Sequence, residues 1–365
     1  MRELSPEQIT EISQLSRQGY HLLKEGSKAR AAENFKRILE MEPENQYALV
    51  GLGDVYRKDR RFSEARDYYM RCLEFQPENS YALFGLADCY KALGKSGMAI
   101  GIWEEYLKHD KQNITVLTRL ADAYRKMKKL PESREIYHRV LEMDENNSYA
   151  LIGLGHLHYD FKEYEEALIH LKKMESLIGE RIDIRVLTTI GNCYRKLKQF
   201  ENGVPYFKRA LEIQGENFYA LYGLADCYRG LNRPEDSLVS WNQILKRDAE
   251  NKVILTRAGD ACRILEDFER ASEYYNQALS IEYDLYAELG LALISRRQGN
   301  FNRAIRLLEH LIQKEPDNPR FYLEAAECAC KIQDVPRARR FLEDFHSRGL
   351  QNQKISEYYR TLEEL

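Results

Sequence analysis

Three rows of polar side chains recur along this 365-residue sequence at spacings suited to binding chemistry. Tyrosines stand at Tyr47, Tyr81, Tyr149, Tyr219 and Tyr286. Acids or amides stand at Asp54, Asp88, Asp122, Asn192, Asp226 and Asp260. Bases stand at Arg57, Lys91, Arg125, Arg195, Arg229, Arg263 and Arg296. Carboxylate and amide groups can bond a peptide backbone, guanidinium can grip a carboxylate in a fork, and phenol rings supply rigid contact area. The same residues can also pair with one another, each exposed pair stabilising by about 0.2–0.5 kcal/mol. The rows are compatible with both roles.

Catalysis has little to work with. His156 and His158 are two residues apart, about 200° around a helix, and cannot hold one metal from the same face. Cys328 and Cys330 share that problem and lack a partner pair at zinc spacing. No phosphate-binding Gly-rich loop, His-Glu-x-x-His or Gly-x-Ser-x-Gly is present. The chain therefore reads as non-catalytic, without metal or cofactor. Seven cysteines is an odd number, and Cys89, Cys193 and Cys227 hold equivalent places, which suits small buried side chains better than disulfides.

The elements that must position the rows are helices of fixed period. Tyr47, Val50, Asp54 and Arg57 fall at i, i+3, i+7 and i+10, one helix face, beside the buried stripe of Leu49, Leu52, Gly53 and Tyr56. Leu49, Leu83, Leu117 and Leu151 are 34 apart; Leu187 follows after 36, and Leu221 and Leu255 return to 34. Repeats start near residues 12, 46, 80, 114, 148, 184, 218, 252, 285 and 319. Before nine of these starts stand Asn45, Asn79, Asn113, Asn147, Asp183, Asn217, Asn251, Asp284 and Asn318, the residue types that cap a starting helix. Each repeat reads as helix A, turn, helix B, turn. Gly94-Lys95, Leu130-Pro131 and Asn232-Arg233-Pro234 are expected in the turns. Trp103 and Trp241 are 138 residues apart, as are Tyr81 and Tyr219, which points to duplication of a repeat pair or of four repeats.

The order Leu49-x2-Leu52-Gly53-x2-Tyr56, then Ala65-x3-Tyr69, then Pro77 resembles the tetratricopeptide repeat (TPR), a helix–turn–helix unit of 34 residues. The resemblance covers about residues 12–347. It implies an all-α fold: a right-handed superhelical solenoid of antiparallel helix pairs, here one domain over residues 1–365. A capping helix is expected at 353–365 and a hinge at 177–183, where the period stretches.

The resemblance also implies that the helix-A face lines a groove that grips extended peptides. The groove residues are then Tyr47, Asp54, Arg57, Tyr81, Phe84, Asp88, Lys91, Arg119, Asp122, Arg125, Tyr149 and Ile152. Further along they are Arg185, Asn192, Arg195, Tyr219, Tyr222, Asp226, Arg229, Arg257, Asp260 and Arg263. Apolar pockets at Val50, Phe84, Ile152, Tyr222 and Leu289, each beside a glycine, should alternate with polar ones at Thr118-Arg119, Thr188-Thr189 and Thr256-Arg257. Arg119, Arg125, Arg185 and Arg195 make the middle the richest in positive charge, suited to an acidic or carboxylate-bearing segment. TPR domains that clamp a chaperone's carboxylate tail use a Lys/Asn, Asn, Lys/Arg set on successive repeats, and no three repeats here carry it.

A net charge of −3 gives no bulk attraction for nucleic acid or an anionic membrane. No signal-peptide core or membrane span is expected, and the reading is cytoplasmic. The expected function is a protein-interaction scaffold or adaptor with a protein or peptide partner. The rivals are a substrate-recruiting arm for an enzyme on a separate chain and an RNA-binding helical repeat. Groove aspartates speak against RNA.

Overall fold

The computed structural model describes residues 4–179 and 182–363, which form 21 α-helices and no strand. The chain divides into two compact units, residues 1–181 and 182–365. The division falls within 177–183, where the sequence predicts a hinge; residues 180 and 181 lie outside the described ones.

The first unit contains five helix pairs. These are α1 (Pro6–Lys24) with α2 (Lys28–Met41), α3 (Gln46–Lys58) with α4 (Phe62–Phe75), and α5 (Ser80–Ala92) with α6 (Ser96–His109). Then come α7 (Ile114–Lys126) with α8 (Leu130–Met143), and α9 (Ser148–Asp160) with α10 (Tyr164–Ile178). The second unit has α11 (Ile184–Lys196) with α12 (Phe200–Ile213), α13 (Phe218–Gly230) with α14 (Pro234–Leu245), and α15 (Lys252–Ile264) with α16 (Phe268–Ile281). It continues with α17 (Leu285–Arg297) and α18 (Phe301–Lys314), α19 (Pro319–Lys331) and α20 (Val335–Ser347), and ends in α21 (Gln353–Glu363).

All nine Asn and Asp caps form as expected, each side chain accepting a backbone N–H of its helix's first turn. Ser5 and Gln8 make a reciprocal capping box at α1. A second layer supports several caps: Glu42, Gln76, Asp110, Asp144, Gln214 and Asp248 each accept from the amide of the cap three residues later.

The turns within pairs match expectation at Gly94-Lys95 and Asn232-Arg233 and differ from it at the prolines. Pro131 and Pro234 stand in the first turn of α8 and α14, where a missing N–H leaves no bond unmade. Each turn instead places one residue in the left-handed region. Glycine holds that place at 26, 94 and 299, but Arg60, Lys128, Lys162, Lys198, Asn232, Glu266 and Gln333 hold it elsewhere.

The core is built on one position of the even-numbered helices. Phe35, Tyr69, Trp103, Tyr137 and Leu171 occupy it in the first unit, and Phe207, Trp241, Tyr275, Leu308 and Leu342 in the second, all buried. Each Phe or Tyr there passes against a glycine of the following pair. A Cβ added at Gly51, Gly85, Gly153, Gly223 or Gly290 would stand 2.2–2.5 Å from the ring of Phe35, Tyr69, Tyr137, Phe207 or Tyr275. After Trp103 and Trp241 the glycine's place is taken by Arg119 and Arg257. The alternation along the chain thus follows the wedge residue of the preceding pair.

Helix α21 caps the last pair as expected. Its Ile355 and Leu362 are buried, with Tyr358 and Tyr359 partly so, in the cluster that holds Leu342 and Phe345. Burying one such aliphatic side chain stabilises by about 1.5–3 kcal/mol. Residues 364 and 365, the end of the expected helix, lie outside the described ones.

Candidate peptide-binding face

The tyrosine row stands out in solvent. Tyr47, Tyr81 and Tyr149 in the first unit and Tyr219 and Tyr286 in the second are 61–77% exposed. Helical phase places them there, one position after the first residue of each odd-numbered helix. In the first unit Tyr47 and Tyr81 line a cavity of about 660 Å³ together with Tyr20, Val50, Asp54 and Asn79. Tyr20 was not in the sequence-derived set; its hydroxyl donates to the Tyr47 carbonyl oxygen at 2.9 Å. Its repeat is the weakest in the sequence, so no row pointed to it.

The acids and bases are zipped together. Within the first unit, Arg57 donates to Asp54 of its own repeat at 2.8 Å and to Asp88 of the next at 3.3 Å. Lys91 reaches Asp122 at 3.3 Å, and Arg125 holds Asp122 at 3.0 Å and Asp160 at 2.6 Å. Arg119 bonds back to Asp88 and lies 4.8 Å from the Phe84 ring centroid. Beneath them, the buried Tyr69 hydroxyl donates to Asp54 at 2.8 Å and accepts from Arg57 at 3.1 Å. The wedge that fills the core therefore also braces the ladder.

The environment tunes two of these carboxyls in opposite directions. Burial raises Asp88 above the ordinary carboxylate range despite Arg119, Arg57 and Lys91. Burial works against the Asp122 carboxylate too, but Lys91, Lys126 and Arg125 outweigh it and hold its pKa low.

The second unit repeats the pattern with gaps. Arg195 meets an amide, not an acid, in its own repeat: it donates to Asn192 at 3.1 Å and to Asp226 of the next at 2.6 Å. Arg229 turns back onto Asp226 at 2.9 and 2.7 Å. Arg263 meets Asp260 at 3.7 Å, and Tyr275 donates to Asp260 at 2.9 Å. Arg296 bonds Glu324 and reaches Glu327 at 2.7 Å. Arg185, at the tyrosine position of its helix, is forked onto its own cap, Asp183, at 3.0 and 2.9 Å.

Several expected binding groups are already engaged. Val50 and Leu289 are buried, Ile152 is half-buried, and Tyr222 sits edge-on to Trp241 at 5.3 Å. The Thr118, Thr188, Thr189 and Thr256 hydroxyls bond carbonyls one turn back in their own helices. Arg119, Arg125, Arg185 and Arg195, the expected cationic middle, each have an acid partner. Cationic excess is instead found in the second unit, around a cavity of about 320 Å³ lined by Arg229, Arg233, Arg257, Arg263 and Arg320 with Asp260.

His158 is a structural residue. It is buried, bonds Glu163 at 2.6 Å and stacks on His170 with ring centroids 5.4 Å apart. All seven cysteines are free thiols and six are buried; burial pushes the Cys89 and Cys227 thiols up to about 12. Among the described residues no helix is long and apolar enough to cross a membrane.

Known proteins share this build. The chain is similar to pilF of Pseudomonas aeruginosa, at 16% identity and a TM-score of 0.51, over 59% of this chain and 96% of that one. It is also similar to YrrB, described as a TPR protein with an unusual peptide-binding site, at 20% identity and a TM-score of 0.47, over 51% of this chain and 95% of that one. A tetratricopeptide repeat protein from Parabacteroides merdae follows at 16% identity and a TM-score of 0.40, over 78% and 99%. No curated protein matches the chain. Models of the tetratricopeptide repeat match residues 16–79, 68–101, 118–177, 184–217, 219–251, 254–285 and 295–345. With the helix pairs, their caps and their wedge residues in the same register, the chain belongs to the tetratricopeptide-repeat family.

Proposed function

We propose that the chain is a non-catalytic scaffold that binds an extended peptide segment of a partner protein along the odd-helix face of its units. The observation that carries this is the tyrosine row: five large aromatic side chains held 61–77% exposed at one repeat position. Such rings bring wide contact area at low entropic cost when a partner covers them. Among the face's polar groups, the first unit offers acids and bases already oriented by one another, so a peptide meets a fixed pattern of charge. Asp54, Asp88 and Asp122 on this face work against nucleic acid. An acidic segment is the preferred partner of the second unit, whose cavity lining carries five arginines against one aspartate. Seven free cysteines suit a reducing compartment, and we place the protein in the cytoplasm.

Panning the full chain against a randomised peptide display library tests the reading. Enrichment of extended sequences that compete with one another for binding is expected. A library that yields no enriched peptide would contradict it.

A further inference from the structure

One arginine position is neutralised in the first unit and left open in the second. In the first unit Lys91 bonds forward to Asp122, so Asp88 is free to take Arg119 as well as Arg57. The counterparts 138 residues on are Asp226, Arg229, Arg257 and Arg195. There Arg229 turns back, occupying one oxygen of Asp226, while Arg195 occupies the other. Asp226 is filled, and Arg257 has no hydrogen bond or ion pair among the described residues.

The ladder is also broken on the far side of Arg257. Arg263 reaches its own Asp260 only at 3.7 Å, and the next repeat carries Leu293 where an acid would receive it. Arg320 stands 4.0 Å from Glu324, the limit of an ion pair. These arginines converge on the cavity of about 320 Å³, with Leu289 and Tyr286 as its apolar side. A cleft in which one sign of charge predominates, here five arginines against Asp260, concentrates its field on the space between. A half-buried guanidinium without an anion is the incomplete half of a charged pair.

We infer that this cavity is an oxyanion subsite, in which Arg257 forks a carboxylate or phosphoryl group borne on a side chain of the bound peptide. The inference rests on reading the odd-helix face as the peptide-binding face. Planar guanidinium groups suit both oxyanions, through paired N–H···O bonds. A glutamate or aspartate side chain and a phosphorylated serine or threonine are the two sources of that chemistry.

The test titrates the full chain with N-acetylglutamate amide, N-acetylphosphoserine amide and the neutral N-acetylglutamine amide, following arginine side-chain N–H signals by NMR. At least one anion is expected to saturate the protein at least tenfold more tightly than the neutral probe. Arg257→Gln should weaken that anion tenfold or more, while Lys208→Gln, an exposed change on an even-numbered helix, should leave it unchanged. Circular dichroism of both variants checks that the helices persist. Phosphoserine binding tenfold tighter than glutamate assigns the site to phosphoryl groups; equal or weaker binding assigns it to carboxylates. Failure of both anions to saturate, or unchanged binding by Arg257→Gln, overturns the subsite. Library peptides that bind without acidic preference would remove the subsite and leave the peptide face standing. Anions that bind at Arg257 in a protein that selects no peptide would do the reverse.

Discussion

Tyr69 lies so close to Gly85 of the following repeat that a Cβ there would stand 2.2 Å from the ring carbon Cζ. The same ring carries the hydroxyl that bonds Asp54 and Arg57 on the binding face. Core packing and face geometry are therefore set by one side chain. Gly85→Ala should destabilise by about 1–3 kcal/mol through overpacking, even though alanine favours a helix. Gly101→Ala, on a helix where a new Cβ meets nothing within 4 Å, should stabilise by about 1 kcal/mol instead. Urea melts of the two variants decide the matter, and a shared sign would show that the wedge contact is not limiting.

The left-handed turn residues make a second prediction. Lys128, with φ of 58°, holds a conformation that glycine adopts without strain. Relief of roughly 1–3 kcal/mol of strain is offset by roughly 0.4–1 kcal/mol of extra freedom in the unfolded chain. Lys128→Gly should therefore raise the urea midpoint. A lowered midpoint would mean that the lysine side chain contributes more than its backbone costs.

Asp226 supplies a third. Burial works against its carboxylate, but hydrogen bonds from Arg229 and Arg195 outweigh it and hold the pKa below the usual carboxylate range. Its stabilisation is thus fully present above the ordinary carboxylate pKa and is lost as pH falls through the lower folded value. Asp226→Asn leaves two guanidinium groups short of an anion and should cost about 1–3 kcal/mol at neutral pH. Asp260→Asn, at a more exposed and looser pair, should cost less than about 1 kcal/mol. Equal losses in urea melts would remove the distinction between the filled and the loose pair.

The repeat register, the caps and the tyrosine row were legible in the sequence because each depends on residue type at a fixed helical phase. Asn45 through Asn318 could be read as caps without knowing any contact. The partners of the charged row could not. Whether Arg229 turns back to Asp226 or forward to Asp260 depends on side-chain direction across a repeat boundary, which periodicity does not encode. For that reason the sequence points to a positive excess at Arg119, Arg125, Arg185 and Arg195, each of which has an acid partner, and treats Arg257 as one groove residue among many. The role of Gly85 also needed the structure, since its reason lies in Tyr69 of the preceding pair. Only three of the ten turns carry a glycine at the left-handed position and one an asparagine, Asn232; Lys128 and its other equivalents carry no turn signature.

The histidine cluster makes the fold sensitive to acid. Burial, with His158, His138 and Lys173 nearby, lowers the His170 pKa to about 4. An unfolded histidine titrates near 6.5. Between those values the unfolded chain takes up a proton that the folded one refuses, so stability falls as pH drops from about 6.5 towards 4 and is unaffected above. Glu163, held low by its hydrogen bond to His158 and by Arg134, adds a loss in the same direction only below the ordinary glutamate range. The urea midpoint should drop between pH 7 and pH 5, and His170→Gln should reduce the drop. An undiminished drop in the variant would place the titrating group elsewhere.

The peptide-binding role of the tyrosine row is tested most directly by binding after its removal. Fluorescence anisotropy with a library-selected peptide would compare the wild-type chain with Tyr47→Ala/Tyr81→Ala/Tyr149→Ala. Those rings are exposed and support no core, so melting should stay within about 0.5 kcal/mol per site of the wild type. Binding should weaken tenfold or more, while Lys208→Glu, an exposed change on an even-numbered helix, should leave it unaltered. Wild-type affinity in the triple variant, with its helices intact, would contradict the assignment of this face.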